Sequence, residues 1–592
     1  MQPIPTPPAE LIQAVRRDPG DTNAWLTLGR WLATHVNPAA AVTQLEYGVS
    51  RSRDPAPILA YIAQALASTP AAPARVHALN RLAALRRDDP EVLAQLGAAL
   101  AMTAAAPTAL KPLRAAVALG DDRREVLALL ASLELAQGLF DEARAHFDQL
   151  LERYPDDPGA WAAKYRIALS TWEWEEVRPL AERARLACAA GVGRDTVPMH
   201  ILLSLFGNDP PALLPGQRRK PPPRPPGRRP ARRLRVGYLS PDLRTHAVGM
   251  LMAGLFERHD RDRFEVFLYN YGPRNEDPYR TRLQHAADHW ADLNDLDTVQ
   301  AAQRIAADGI DVLIELAGHT AGSRTEITAT RPAPVQIHYL GHAGSLSLPG
   351  IDYYLGDHET IPPEGEAEFA EHVLRLRRCF MVTDDRRALP RPITRSALGL
   401  PEDAIVLINY NQSWKWSVAY VDVWLRALAR HERAVLWART PSPDARRRLI
   451  ERARAHGVAR PDERIVAFDY ADDMQSHLDR IALADLAVDQ LPYSSHSIAA
   501  ELLWAGVPLL TQRGVRFAGR VGASVVKAAG LPDFITGSTE DYERQLDTLL
   551  ANPDRLLAAR RHLTENRHSL ELFDTQGFAR DLEDLLLGLF EA

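Results

Sequence analysis

Asp489-Gln-Leu-Pro-Tyr-Ser-Ser-His-Ser-Ile-Ala-Ala-Glu-Leu-Leu-Trp-Ala-Gly-Val-Pro-Leu509 reads as a strand end, a small polar loop, a helix and the next buried strand. Asp485 to Val488 is a short apolar run that fits a buried parallel strand. Pro492 to Ser497 is rich in hydroxyls. Ile498 to Trp504 has helical apolar spacing, and Gly506-Val507-Pro508 stops it. A helix that starts at the carboxyl end of a parallel strand aims free N–H groups and a positive dipole end at one spot, which suits a phosphate. Ser494, Ser495, His496 and Ser497 add donors there. The plainer reading of the same residues is that Ser495 or Ser497 caps the helix.

Upstream, strands are expected at 404–410, 434–438 and 464–468, with helices between them, and a further strand at 507–511. Before these lies a similar series. Strands are expected at 234–239, 264–269, 311–316 and 335–340, with an amphipathic helix over 298–308. Strands alternating with helices mean parallel α/β domains, and two in tandem leave a cleft at their strand ends. The segment from about 357 to 403 is expected to connect the two, with a short strand of its own at 373–376.

The loops after these strands carry the candidate chemistry. Lys415, in Asn411-Gln-Ser-Trp-Lys-Trp416, follows a strand end and is placed to neutralise a diphosphate leaving group. Taken alone, a loop lysine is a solvated charge. Trp414 and Trp416 offer a stacking face or pack the loop. Ser240-Pro-Asp-Leu-Arg-Thr-His246 sets a histidine at the cleft rim, where a near-neutral pKa lets it orient a hydroxyl or accept its proton. Standing alone it would be a surface or capping histidine. Glu315-Leu-Ala-Gly-His-Thr320 offers His319 and Thr320 to a sugar, and Gly341-His-Ala-Gly-Ser-Leu-Ser347 is a third glycine- and hydroxyl-bearing loop. No carboxylate cluster reads as a metal site. Asp472-Asp473 falls at a helix start, where acidic residues suit the dipole.

The N-terminal part has a different rhythm. Trp25, Leu59, Leu93, Leu127 and Trp161 recur every 34 residues. Leu28, Ile62, Leu96 and Leu130 follow three positions later, and Gly29, Ala63, Gly97 and Ala131 one after that. The fourth copy is the clearest, running through Ala143, Phe147 and Pro155. The second is interrupted by Pro70 to Pro73. This period matches the tetratricopeptide repeat, a helix pair that buries its apolar face only by stacking on its neighbours. The concave face of such a stack suits a polypeptide; a spacer or a homodimer contact is the alternative. Trp161, Tyr165, Trp172 and Trp174 are expected to pack in the core or against the next domain. Between 207 and 233 the chain is proline- and arginine-rich with no aromatics, so it reads as an extended spacer and not as a nucleic-acid site.

Composition sets the outer limits. With 592 residues the chain exceeds a single core. A net charge of −6 does not suit a whole-chain binder of nucleic acid. There are 2 cysteines, Cys188 and Cys379, too few for a disulfide framework and without metal-ligand spacing. No apolar run reaches the ~18 residues of a membrane span, and the first residues lack the basic-then-apolar pattern of a signal peptide. The expectation is a cytoplasmic protein.

Taken in order, R-V-G-Y-L-S-P-D with T-H behind it, E-L-A-G-H-T, R-P-A-P-V-Q-I, N-Q-S-W-K and H-S-I-A-A-E-L-L-W-A-G-V-P resemble the O-linked N-acetylglucosamine transferase family. E-L-A-G-H-T and L-R-L-R-R-C-F look closest to its SPINDLY branch. The resemblance covers about 234 to 585, and the preceding repeats complete the family's layout. It implies a tetratricopeptide solenoid (1–206), a linker (207–233) and a GT-B fold of two Rossmann-like lobes (234–380, acceptor side; 381–592, nucleotide-sugar side). It further implies inverting, metal-independent transfer of GlcNAc from UDP-GlcNAc to a serine or threonine of a protein, with no cofactor beyond the donor substrate. By motif match His246 takes the place of the active-site histidine and Lys415 that of the diphosphate lysine. Gln412 falls on the nucleotide or phosphate side. His496 and Ser497 match a His-Thr pair at the phosphate helix, Glu501 an acidic ribose contact, and His477 a base-contacting histidine. His319, Thr320 and His342 stay as sugar-side candidates.

The sequence departs from the family at His246-Ala-Val, where the family has H-P-T. It departs also at Ile498 for a threonine, at Gly341 to Ser347 for G-Y-P-G-T-S-G, and at Met474 for a lysine near the base. Protein O-fucosylation from GDP-fucose is therefore the alternative. A non-catalytic repeat scaffold with a sugar-nucleotide sensor is the alternative of another class. Transfer to asparagine or to a small glycan is a third.

Overall fold

The computed structural model describes residues 5–67, 72–103, 106–189 and 231–590, except 275, 321, 470 and 472. The interruption at Pro70 and nearly all of the 207–233 spacer lie outside the described residues, as does Asp472. Two compact units result: one holds residues 5–164 and 187–189, the other Tyr165–Leu186 together with 231–590. The boundary falls inside the helix Pro158–Thr171.

The first unit is built of antiparallel helix pairs: Thr22–His35 with Pro38–Val49, Ala56–Ala65 with Ala72–Leu85, Pro90–Ala101 with Leu110–Ala118, and Arg124–Ala136 with Phe140–Arg153. Asp21, Asn37 and Asp89 cap their helices by accepting first-turn amides, and Pro38 and Pro90 sit where a missing N–H costs nothing. Trp25, Leu59 and Leu127, all on the 34-residue period, are buried. The small positions explain themselves sterically. A Cβ on Gly29 would stand 2.6 Å from Leu45 Cδ1, and one on Gly97 2.4 Å from Leu113 Cγ. Each glycine lets the second helix of its pair approach closely.

The second unit contains two parallel sheets. The first has β1 Leu234–Ser240, β2 Phe264–Asn270, β3 His289–Asp292, β4 Val312–Glu315, β5 Val335–His338, β6 Tyr353–Asp357 and β7 His372–Leu376, in the order β3-β2-β1-β4-β5-β6-β7. The second has β8 Ile405–Asn409, β9 Ala434–Ala438, β10 Ile465–Ala467, β11 Leu486–Val488, β12 Leu509–Gln512 and β13 Ile535–Thr536, in the order β10-β9-β8-β11-β12-β13. Their inner strands are apolar on both faces, as strands covered by helices on both sides must be. The expected strands stand within two residues of their predicted bounds. The short strand expected inside a connector is instead β7, the edge of the first sheet. It pairs with β6, which sequence reasoning did not anticipate. Tyr353 to Asp357 ends in Gly-Asp and alternates too little to stand out.

The last helix, Thr575–Gly588, returns to the first lobe. Glu583 there accepts the Asp260 amide at 2.8 Å and pairs with the buried His259 at 2.9 Å. Asp581 takes the Arg377 amide and guanidinium at 2.8 and 2.7 Å. Among the described residues no helix is long and apolar enough to cross a membrane.

Candidate active site

In each sheet the strand order reverses between two strands that are not consecutive in sequence, β1 and β4 in the first and β8 and β11 in the second. Loops leaving two such strands diverge to opposite faces and open a crevice at their carboxyl ends. In the second sheet these loops are 410–417 and 489–496, and the crevice is knitted by short hydrogen bonds. Asn409 Nδ2 donates to the Val488 carbonyl at 2.9 Å and to Gln490 Oε1 at 2.6 Å. Asn411 Nδ2 donates to Ser495 Oγ at 2.7 Å.

Asp489 anchors the second loop. Its fully buried carboxylate accepts the Ser495 amide and hydroxyl, both at 2.8 Å, and the Thr511 hydroxyl at 2.7 Å. Burial raises its pKa against the pull of those donors. Ser495 is thus spent on Asp489 and Ser494 on the Ala518 carbonyl. Neither Ser495 nor Ser497 caps the helix Ser497–Trp504, so the capping reading is corrected. The N-cap position belongs to His496, whose side chain accepts nothing from the first turn. The ring Nε2 of His496 instead meets the Ala518 carbonyl at 2.9 Å.

Lys415 and His496 meet over Tyr493. The ammonium lies 4.1 Å from the centre of the tyrosine ring, and the His496 ring stacks on that ring at 4.6 Å. Each side chain keeps some surface open but is packed on most sides. Burial pushes Lys415 down to about 8, partly offset by the Asp489 carboxylate. Burial, then the Lys415 charge, pushes His496 down to about 3, so its ring is neutral near pH 7. Burial raises Tyr493 to about 12. On the other side of the helix Glu501 Oε2 pairs with His477 Nε2 at 2.8 Å, and His477 stands edge-on to Tyr410, itself stacked on Phe468. Gln412 is exposed at the start of the turn that carries Lys415. Met474 is the first residue of the helix Met474–Ile481, capped by Asp473.

In the first lobe His246 is the N-cap of the helix Ala247–Arg258. Its Nδ1 accepts the Val248 amide at 3.3 Å and stands 3.6 Å from Asp242. Burial lowers its pKa, against the opposing charge of Asp242. Among the described residues it makes no hydrogen bond to another candidate. His319 and His342 meet edge-to-face at 5.2 Å, and His319 Nε2 reaches the Leu346 carbonyl at 2.7 Å. Burial lowers the pKa of His319. The Thr320 hydroxyl is turned back to the Ala317 carbonyl at 3.0 Å. Behind them is a buried pair that sequence reasoning missed, Glu315 with His338 at 2.8 Å. Glu315 also accepts the Ala317 and Gly318 amides and so shapes the loop. A carboxylate at a strand end three residues before a glycine was the available signal. Tyr493 and Asp489 were missed as well, although both stand in the deciding stretch.

The carboxyl ends of the two sheets are joined. Glu359, just past β6, pairs with Arg513, just past β12. Tyr354 donates its hydroxyl to the His342 carbonyl and sets its ring edge-on to Phe517, the residue before Ala518. The His342 loop of one lobe and, through Phe517 and Ala518, the His496 loop of the other therefore border one region.

Two parallel Rossmann-like lobes whose strand ends meet through Glu359–Arg513 and Tyr354–Phe517 define a GT-B glycosyltransferase fold. Comparison with known proteins places the chain within that class. Residues 224–393 and 391–582 match the model of glycosyl transferase family 41, and residues 124–167 match a tetratricopeptide repeat. The chain belongs to glycosyl transferase family 41. It is 33% identical over 362 residues to a probable UDP-N-acetylglucosamine–peptide N-acetylglucosaminyltransferase SEC of Arabidopsis thaliana, covering 60% of this chain and 36% of that protein. A probable transferase of the same description, SPINDLY of Solanum lycopersicum, is 27% identical over 363 residues, with 60% and 38% covered. The chain thus spans well under half the length of these curated relatives. Among solved structures, a lysine-to-methionine mutant of the Thermobaculum terrenum O-GlcNAc transferase superposes with a TM-score of 0.64 at 26% identity, covering 90% of this chain and 97% of that one.

Proposed function

We propose that this chain is an inverting protein O-glycosyltransferase that moves GlcNAc from UDP-GlcNAc to serine or threonine without a metal ion. The observation that carries the reading is the meeting of Lys415 and His496 over Tyr493 at the switch point of the second sheet. The names of the relatives point to the donor and the peptide acceptor.

In this reading the nucleotide lies on the second lobe, its base and ribose toward His477 and Glu501 and its diphosphate toward Lys415, Gln412 and the amide end of the helix Ser497–Trp504. The acceptor oxygen attacks the anomeric carbon from the face opposite the diphosphate. The C–O bond to the diphosphate breaks and its electron pair leaves on the phosphate oxygen. The hydroxyl proton goes to His246 or to solvent beside it. The developing negative charge is met by Lys415, whose preorganised ammonium acts where water is scarce. A neutral His496, its one ring proton held on Nε2 toward the Ala518 carbonyl, adds the ring without a competing charge. His319, Thr320 and His342 border the sugar. The repeats offer the polypeptide acceptor a surface. Cys188 and Cys379 are both buried and form no disulfide among the described residues, which suits a reducing compartment such as the cytoplasm.

A second reading, fucose from GDP-fucose, is favoured by Met474 where the family has lysine and by the altered loop Gly341 to Ser347. A donor screen decides. Release of UDP from UDP-GlcNAc supports the first reading, release of GDP from GDP-fucose the second. Failure to bind either UDP or GDP refutes both and leaves the scaffold.

A further inference from the structure

Lys415 ends a single tight turn, Ser413–Lys415, closed by the Trp416 amide donating to the Ser413 carbonyl at 3.1 Å. One such turn has poor hydrogen-bond geometry and no neighbouring turn to support it. The same carbonyl takes a second hydrogen bond, at 3.2 Å, from the indole Nε1 of Trp172, far away in sequence and outside both Rossmann-like sheets. The Trp172 ring is 1% exposed and lies on Trp416, centroids 4.6 Å apart and planes 26° off parallel. Trp416 in turn stands edge-on to Trp424 at 5.2 Å. The two neighbours of Lys415 that set its backbone, Ser413 and Trp416, are thus both held by one side chain.

The segment that delivers this indole is itself clamped to the second lobe. Arg448 donates to the Thr171 carbonyl at 3.0 Å and pairs with Glu173 at 3.2 Å. The Arg452 guanidinium lies 5.4 Å over the Trp174 ring, which stacks on Trp172 at 5.9 Å. Trp172 has φ +58°, in the left-handed region that an aromatic residue occupies only where its surroundings fix it. It falls between two helices, Pro158–Thr171 and Trp174–Ala189.

We propose that Trp172 is a positioning residue for Lys415: by bonding Ser413 and stacking on Trp416 it holds the turn that keeps the ammonium over Tyr493. The inference rests on the reading of Lys415 as the diphosphate-side cation. A loosened turn admits water to the ammonium, so loss of Trp172 raises the Lys415 titration midpoint from about 8 toward the ordinary 10.5. It also lowers kcat more than it raises KM, because the charge is misplaced at the moment of bond breaking.

The test uses the full chain with lysine labelled at Cε, Lys415→Ala serving to assign the Lys415 signal. Trp172→Leu removes both the donor and the stack. Trp172→Phe keeps a ring and removes the donor, and covers the case in which the leucine variant fails to fold. Trp424→Phe disturbs the same aromatic cluster without touching Ser413. The expected result is a midpoint raised by roughly one unit or more in Trp172→Leu and by less in Trp172→Phe. The parent value should persist in Trp424→Phe, and kcat should fall roughly tenfold to a hundredfold in Trp172→Leu. A parental midpoint and kcat in the folded Trp172 variants overturn the proposal. So does an equal shift in Trp424→Phe. Full activity of Lys415→Ala alongside a shifted midpoint refutes the role of Lys415 and leaves the Trp172 coupling standing.

Discussion

The pH dependence of donor turnover is the sharpest consequence of the site. The free chain holds the Lys415 ammonium with a pKa near 8 because burial disfavours the charge more than Asp489 restores it. Below that pH the ammonium faces the diphosphate; above it the charge is lost. Half the molecules carry it at the midpoint, about a tenth one unit higher and about a hundredth two units higher, so kcat/KM should descend with unit slope above about pH 8. The size of the loss follows from the contact. A unit charge about 4 Å from a phosphate oxygen is worth about 4 kcal/mol at an effective dielectric constant near 20. Removing one preorganised donor from a developing oxyanion costs about 2.7–4 kcal/mol, or a factor of about 10²–10³ in kcat. Both estimates point to the same two to three decades for Lys415→Ala. The assay is release of nucleoside diphosphate from the donor between pH 6 and 10, at fixed ionic strength, for the parent and Lys415→Ala. The parent should show the alkaline limb, and the variant should be slow and without it. A variant within about threefold of the parent, or one that keeps the same limb, would falsify the assignment of the charge to Lys415.

Further outcomes follow from the same geometry. His246→Ala should lower kcat by about 10²–10⁴-fold if the ring accepts the hydroxyl proton, and His246→Gln should recover activity if the ring only positions the acceptor. His496 is neutral in the fold down to about pH 3 but takes up a proton near 6.5 when unfolded, so its contribution to stability is present above 6.5 and is lost as the pH falls toward 3. His496→Asn should flatten that acid limb in chemical denaturation, and an unchanged limb would count against a buried neutral ring. Glu501→Ala removes the partner of His477 and should raise the Kd for UDP or GDP about tenfold by calorimetry, about 1.4 kcal/mol; unchanged affinity would place the ribose elsewhere. A Cβ on Gly522 would stand 2.6 Å from Asp489 Oδ2 and 2.8 Å from Thr511 Oγ1. Gly522→Ala should therefore destabilise by about 1–3 kcal/mol, read as a lower Tm, whereas an unchanged Tm would show that Asp489 is not held as described.

Much of the architecture was legible along the chain because it rests on local periodicity. The 34-residue spacing from Trp25 to Leu127 reports a helix pair repeated, and Gly29 and Gly97 report where one helix must approach the next. Apolar runs such as Ile405–Asn409 report strands covered on both faces. The candidate residues after those strands were legible for the same reason, since a strand end fixes where its loop lies. Lys415 and His496 could be paired in advance because β8 and β11 each deliver a loop to the switch point. The order of the strands, however, is not written in any one segment. β7 looks like part of a connector until it is seen to pair with β6, and the last helix reveals its return to the first lobe only through Glu583 and Asp581. The deciding contacts at the site are of this long-range kind. Tyr493 becomes the surface between two charged or polar groups only when two loops 80 residues apart converge, and Asp489 becomes an anchor only when Thr511 stands beside it. Trp172 looks like one more core aromatic by composition, and only the folded chain brings its indole to the carbonyl behind Lys415. Periodicity is a property of neighbours in sequence; proton affinity, stacking and the aim of a charge belong to neighbours in space, and packing alone chooses those.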